Sequence, residues 1–106
     1  MIYVSNAFSL QMTDCNKPHT IHTEPVTAEQ VAESIRDGFT SAIGHADTAN
    51  VVSGLLGVEI PCQRINVRLT ADDTLYVAQL TGGRLPEGAT TLPEGFTLTF
   101  QRVTVD

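Results

Sequence analysis

The chain has 106 residues, enough for one domain, and 42% of them are hydrophobic against 17% charged, which argues against disorder. With a net charge of −6 and only six lysines and arginines, it lacks the basic footprint that long nucleic acid requires, although a small anionic ligand in a local pocket is compatible with that balance. No basic leader opens the chain and no apolar run approaches a membrane span, so the expectation is a soluble cytoplasmic protein that touches no membrane.

The predicted elements alternate in type. Residues 2–8, "IYVSNAF", read as a first strand, and residues 19–26, "HTIHTEPV", as a second that Pro25 closes. A helix follows from Thr27, where Thr27 and Gln30 have the spacing of a capping box; Val31 and Ile35 share its inner face and Gly38 stops it. A second helix is expected over Ala46–Leu56, with Val51, Val52, Leu55 and Leu56 as its apolar stripe and Gly57 as its end. "RINVRLT" at 64–70 alternates Ile65, Val67 and Leu69 inward, and a turn through Asp72 and Asp73 would fold "TLYVAQL" back on it as a hairpin. The alternating tail "FTLTFQRVTV" closes the sheet. Between the last two strands the tetrapeptide Leu-Pro-Glu-Gly occurs twice, at 85–88 and 92–95, in what reads as a proline-stiffened loop. The fold class is therefore α/β: one compact domain with about five strands in a mixed sheet flanked by helices.

Chemistry concentrates around the second helix. Gly44 and His45 stand at its N-terminal edge, where free backbone N–H groups and the positive end of the macrodipole favour an anion. A glycine there admits a ligand close to the backbone, and a histidine beside a bound phosphate suits a general acid donating to an oxygen that leaves phosphorus. The competing reading is a histidine that merely caps the helix. Arg84, in "GGRLPEG", presents a fork of donors matched to phosphate oxygens, with Glu87 three residues on; each could equally be a solvated loop side chain. Asn6, Ser9 and Gln11 follow the first strand and could contact a nucleotide or satisfy a turn. His19 and His22 point to opposite faces of a strand, and Cys15 and Cys62 have no CxxC partner, so neither pair makes a metal site. No cofactor is implied.

"VSNAFSLQM", "AIGHADTA", "QRINV" and "QLTGGRLPEG", in that order and at that spacing from Tyr3 to about Gly88, resemble the viral and bacterial ring nucleases that act as anti-CRISPR proteins against type III systems. The resemblance implies a homodimer that binds cyclic tetra-adenylate across its two-fold axis and degrades it without a metal, in the cytoplasm of the host cell if the gene is viral. It implies catalytic roles for His45, Arg84 and Glu87. It further implies ligand contacts from Asn6, Ser9, Thr48, Arg64 and Gln79; Gln11, which stands where some relatives carry asparagine, and Gly44, which lets a ligand near the backbone, are further candidate contacts. Asp47 stands where some relatives carry serine, and a carboxylate there suits the helix terminus but would repel a nearby phosphate. Two other functions fit the same sequence: a sponge that binds the cyclic nucleotide without cutting it, and a structural or partner-binding phage protein whose acidic surface meets a basic host protein.

Overall fold

The computed structural model describes all residues from Met1 to Asp106. Its five strands are β1 (Ile2–Ser5), β2 (Ile21–Val26), β3 (Thr40–Ala42), β4 (Thr74–Thr81) and β5 (Thr97–Val105), and its helices are α1 (Ala28–Ser34) and α2 (Ala46–Leu56). They form one mixed sheet in the order β2-β5-β4-β1-β3. β1 runs parallel to both β3 and β4, while β5 is antiparallel to β4 and to β2. The α/β class and the strand number match the sequence expectation.

The helices form where local chemistry directs them. The Thr27 hydroxyl accepts from the Gln30 N–H at 3.1 Å and the Gln30 side chain accepts from the Thr27 N–H at 2.8 Å, a complete capping box. Gly57, at φ +67, ends α2 in the left-handed region that an L side chain resists. Val51, Val52 and Leu56 are buried as the apolar stripe requires, whereas Leu55 faces outward at 43% exposure.

Alternation along β4 sends its side chains to two separate cores. Tyr76 and Ala78 join Val4, Ile43 and Phe100 beneath Val31 of α1 and Val52 and Leu56 of α2. Leu75 and Val77 face the other way, with Val103 and Val105, against Val67 and Leu69. Both helices thus cover one face of the sheet, and the chain around residues 67–69 covers the other.

That second cover corrects one expectation. Residues 64–70 form no strand, and no hairpin joins them to β4. β4 is paired on one side by β1 and on the other by β5, leaving no edge for a third partner. The alternation is still physical: Val67 and Leu69 are buried, but they pack as an extended cover held by one backbone bond from Leu69 N–H to the Met12 carbonyl at 2.7 Å. Ile65, expected inward, is 38% exposed. The fifth strand is instead β3, three residues that pair with β1. β1 itself stops at Ser5, where the buried hydroxyl bonds the Ala7 backbone and turns the chain out at Asn6. Pro25 lies inside β2 and does not close it, an acceptable place because β2 is an edge strand paired only to β5.

The doubled tetrapeptide is one turn made twice. The Ala89 N–H bonds the Pro86 carbonyl and the Phe96 N–H bonds the Pro93 carbonyl, both at 3.1 Å. The third residue of each turn is a glycine at positive φ, +79 at Gly88 and +86 at Gly95. The Cα radius of gyration is 13.6 Å, close to the roughly 13 Å expected for a domain of this length.

Candidate functional site

β1, β3 and β4 are parallel, so their carboxyl ends open on the same edge of the sheet, and β1 lies between the other two. In open α/β sheets that edge, at such a branching of connections, is where ligands bind. Asn6 leaves β1 there, Gly44 and His45 leave β3 there, and the loop with Arg84 leaves β4 there. Gln79 sits near that end of β4, opposite Thr99 on β5.

His45 is the N-cap of α2, with extended backbone at φ −126 and ψ 122. Its carbonyl accepts from the Ala49 N–H at 3.0 Å, while its ring makes no capping bond and is exposed. The ring is therefore free to meet a ligand at the end of the helix where N–H groups are unpaired.

Long-range polar contacts bring two further segments to this place. The Ser41 hydroxyl donates to the Pro61 carbonyl at 2.5 Å, and the Gln63 N–H donates to the Ile43 carbonyl at 2.8 Å. These bonds lay residues 61–64 along the end of β3, and Arg64 reaches Gly44, donating from Nη2 to its carbonyl at 3.3 Å. A Cβ on residue 44 would lie 3.2 Å from Arg64 Nε and 3.3 Å from Arg64 Cβ, so glycine makes room for the arginine as well as for a ligand. From the other side, the Gly88 N–H donates to Asp47 Oδ1 at 3.2 Å, which ties the "RLPEG" turn to the first turn of α2. Leu85 is buried and anchors that loop, leaving Arg84 and Glu87 exposed on either side of it.

The remaining candidates are placed differently. Ser9 and Gln11 line a groove of about 520 Å³ with Asn16, Asn66 and Arg68. Thr48 is buried at 9% exposure in the first turn of α2. His19 and His22 bond the Lys17 carbonyl and the Asp106 carboxylate, respectively, and share no ligand position. Sequence reasoning had no means to single out Ser5 and Ser41, whose hydroxyls shape the ends of β1 and β3. Ser5 is marked only as a serine ending the apolar run Ile2–Val4, and Ser41, inside "FTSAI", carries no such mark.

A small α/β protein with an open mixed sheet, and a histidine at a helix N-terminus outside the carboxyl ends of its parallel strands, is the class that this geometry defines. The chain belongs to the STIV B116-like family, whose model matches residues 2–99. It is 34% identical over 89 residues to protein 26 of Sulfolobus islandicus filamentous virus (isolate Iceland/Hveragerdi), an alignment covering 83% of this chain and 74% of that one. It is also 34% identical over 91 residues to ORF117 of Acidianus two-tailed virus, covering 83% and 75%. Among solved structures it shares its fold with B116 of Sulfolobus turreted icosahedral virus, at a TM-score of 0.79 and 24% identity over 97% of both chains. All three of these similar proteins come from viruses. No helix in the chain is long and apolar enough to cross a membrane.

Proposed function

We propose that this protein is a ring nuclease that cleaves cyclic tetra-adenylate to linear di-adenylates without a metal ion, and so suppresses type III CRISPR signalling in the cytoplasm of the infected cell. The observation that carries the reading is the exposed His45 ring, free of any capping bond, at the N-terminus of α2 and flanked by Gly44 and Arg64. The loop with Arg84 and Glu87, tied to the same helical turn through Asp47, supports it further.

The chemistry draws on the substrate's own nucleophile. The ribose 2′-oxygen attacks the adjacent phosphorus, forming a 2′,3′-cyclic phosphate as the bond to the 5′-oxygen breaks. The 2′-hydroxyl passes its proton to solvent, the leaving 5′-oxygen takes one from the His45 imidazolium, and solvent returns a proton to His45 before the next cut, so no water is consumed. The protein's task is to hold the 2′-oxygen, phosphorus and 5′-oxygen in line. Free N–H groups of α2 and the Arg84 guanidinium stabilise charge gathering on the phosphoryl oxygens. Protonation by His45 contributes roughly 10²–10⁴-fold, the ordinary range for general acid catalysis. Asn6, Arg64 and Gln79, at the sheet edge, hold the ring, with Ser9, Gln11 and Thr48 as further contacts. A homodimer with a two-fold axis through the ring presents two such sites to four nucleotides, and two cuts give two di-adenylates.

The test is incubation with cyclic tetra-adenylate in excess chelator, with products separated chromatographically for the native protein and His45→Ala. Linear di-adenylate from the native protein alone supports the reading. Intact ring retained by both proteins would make this a nucleotide sponge, and no binding by either would point to a protein partner instead.

A further inference from the structure

The bond between Asp47 and Gly88 joins residues 41 apart in sequence and is the polar attachment of the Arg84 loop to the helix that begins at His45. We propose that Asp47 is a positioning residue: its carboxylate holds the turn at Gly88 against the first turn of α2 and so fixes where Arg84 and Glu87 stand relative to His45. The catalytic consequence rests on the ring-nuclease reading, whereas the attachment belongs to the free protein.

Each partner is prepared for the contact by its own local structure. The Pro86–Ala89 turn, closed by its 3.1 Å backbone bond and by the positive φ of Gly88, leaves the Gly88 N–H unused within the loop and directed at α2. Asp47 is the second residue of α2 after the N-cap, a position where the macrodipole favours negative charge. An ionised acceptor makes the stronger kind of hydrogen bond. Two other approaches of the loop to the rest of the molecule carry no hydrogen bond. Leu85 inserts into the fold as an apolar anchor. The Thr90 carbonyl lies beside α2 where a Cβ on Gly54 would be 3.7 Å away, an ordinary van der Waals approach. The contact at Asp47 alone is directional, and it falls two residues from His45. It also changes the part expected of this carboxylate: one of its oxygens serves the loop and is not simply a charge turned toward an incoming phosphate.

Two substitutions separate the hydrogen bond from the charge. Asp47→Asn keeps an acceptor oxygen at the same reach, and Asp47→Ala removes it. Amide hydrogen exchange of the ligand-free proteins reads the attachment, and cleavage of cyclic tetra-adenylate reads its consequence. In Asp47→Ala the Gly88 amide is expected to exchange about ten-fold faster, the factor for losing a bond to a charged acceptor, with the core amide of Val77 unchanged. Its kcat is expected to fall about 10–100-fold with little change in KM, because Arg84 is displaced from the transition state. Asp47→Asn, which keeps the acceptor but as a weaker uncharged one, should restore most of both. Unchanged Gly88 exchange in Asp47→Ala overturns the attachment. Faster exchange with unchanged kcat overturns the positioning role. If the native protein does not cleave the ring, the ring-nuclease reading falls and with it the catalytic role, while the exchange data still decide the attachment by themselves.

Discussion

Arg64 stands where a side chain on residue 44 would be: its Nη2 bonds the Gly44 carbonyl at 3.3 Å, and its stem fills the space beside the Gly44 Cα. Gly44 is not among the positive-φ glycines, so alanine fits its backbone and the conflict is with Arg64 alone. Of the contacts at 3.2–3.4 Å, Arg64 Nε and Cγ belong to an exposed side chain that can rotate aside, and Arg64 Cβ must give by a few tenths of an ångström. Gly44→Ala is therefore expected to fold with a stability loss below about 1 kcal/mol and to bind cyclic tetra-adenylate several-fold more weakly, since Arg64 must swing off the site. Calorimetric titration beside a urea melt checks both halves; native affinity in a folded variant would remove Arg64 from the ligand contacts.

His45→Ala isolates chemistry from folding. An N-cap side chain that bonded the helix would cost about 1 kcal/mol on truncation, but the His45 ring makes no such bond. The expected stability change is thus within about 0.5 kcal/mol, as for an ordinary surface substitution, while cleavage falls by roughly 10²–10⁴-fold and binding persists. A melting curve that shifts strongly would show that the ring serves the helix and not a substrate.

These contrasts explain what the sequence makes legible. α2 is readable from end to end because every signal for it is local: the apolar stripe, the stop at Gly57 and the polar start at His45. The capping box of α1 is local too. β3 is not readable, since three residues, Thr40–Ala42, carry no pattern and become a strand only by pairing with β1. Residues 64–70 mislead for the opposite reason: inward and outward alternation reports which side is covered, and an extended segment lying on a sheet alternates as a strand does. His45 can be picked out because a histidine at a helix start is a sequence feature. The contacts that assemble its surroundings, Arg64 on Gly44 and Gly88 on Asp47, join distant segments and leave no trace at either end.

Gly82 is the position where the loop after β4 tolerates no side chain. Its φ is +113, and an added Cβ would lie 2.9 Å from both the Gly95 carbonyl oxygen and Phe96 Cα. Both obstacles are backbone, so relief requires moving the strands that flank the loop. Gly82→Ala is expected to cost more than about 2 kcal/mol, combining left-handed strain with overpacking. Urea denaturation measures it; a loss under half that value would mean that the loop rearranges freely.

Asp73 gives the fold an acid-sensitive joint. Burial tends to raise its pKa, but the Thr70 N–H, the Met1 ammonium and the Thr70 hydroxyl all bond its carboxylate, and together with the ammonium charge they lower it below the ordinary 3.8. A carboxyl whose folded value is depressed contributes stability in full above its unfolded value and loses it as pH falls through the folded one. Asp73→Asn should therefore be less stable than the native protein by about 1 kcal/mol at pH 7, with the gap closing once the pH drops below 3.8. Urea midpoints at pH 7, 5 and 3 follow the closure; a gap independent of pH would assign the effect to shape and not to charge.

Gly54 offers a change in the opposite direction. It lies inside α2, where glycine costs close to 1 kcal/mol relative to alanine in backbone entropy. Its side is open enough that the nearest atom to an added Cβ is the Thr90 carbonyl oxygen at 3.7 Å, an ordinary contact. Gly54→Ala is expected to stabilise the protein by about 0.5–1 kcal/mol and to press lightly on the loop that carries Arg84. Because that loop is held near His45 by Gly88 and not by Thr90, cleavage should stay within two-fold of native. A thermal melt and a rate measurement on the same preparation test the two statements together. A stabilised variant that loses activity would mean that the loop must move away from α2 for the reaction to proceed.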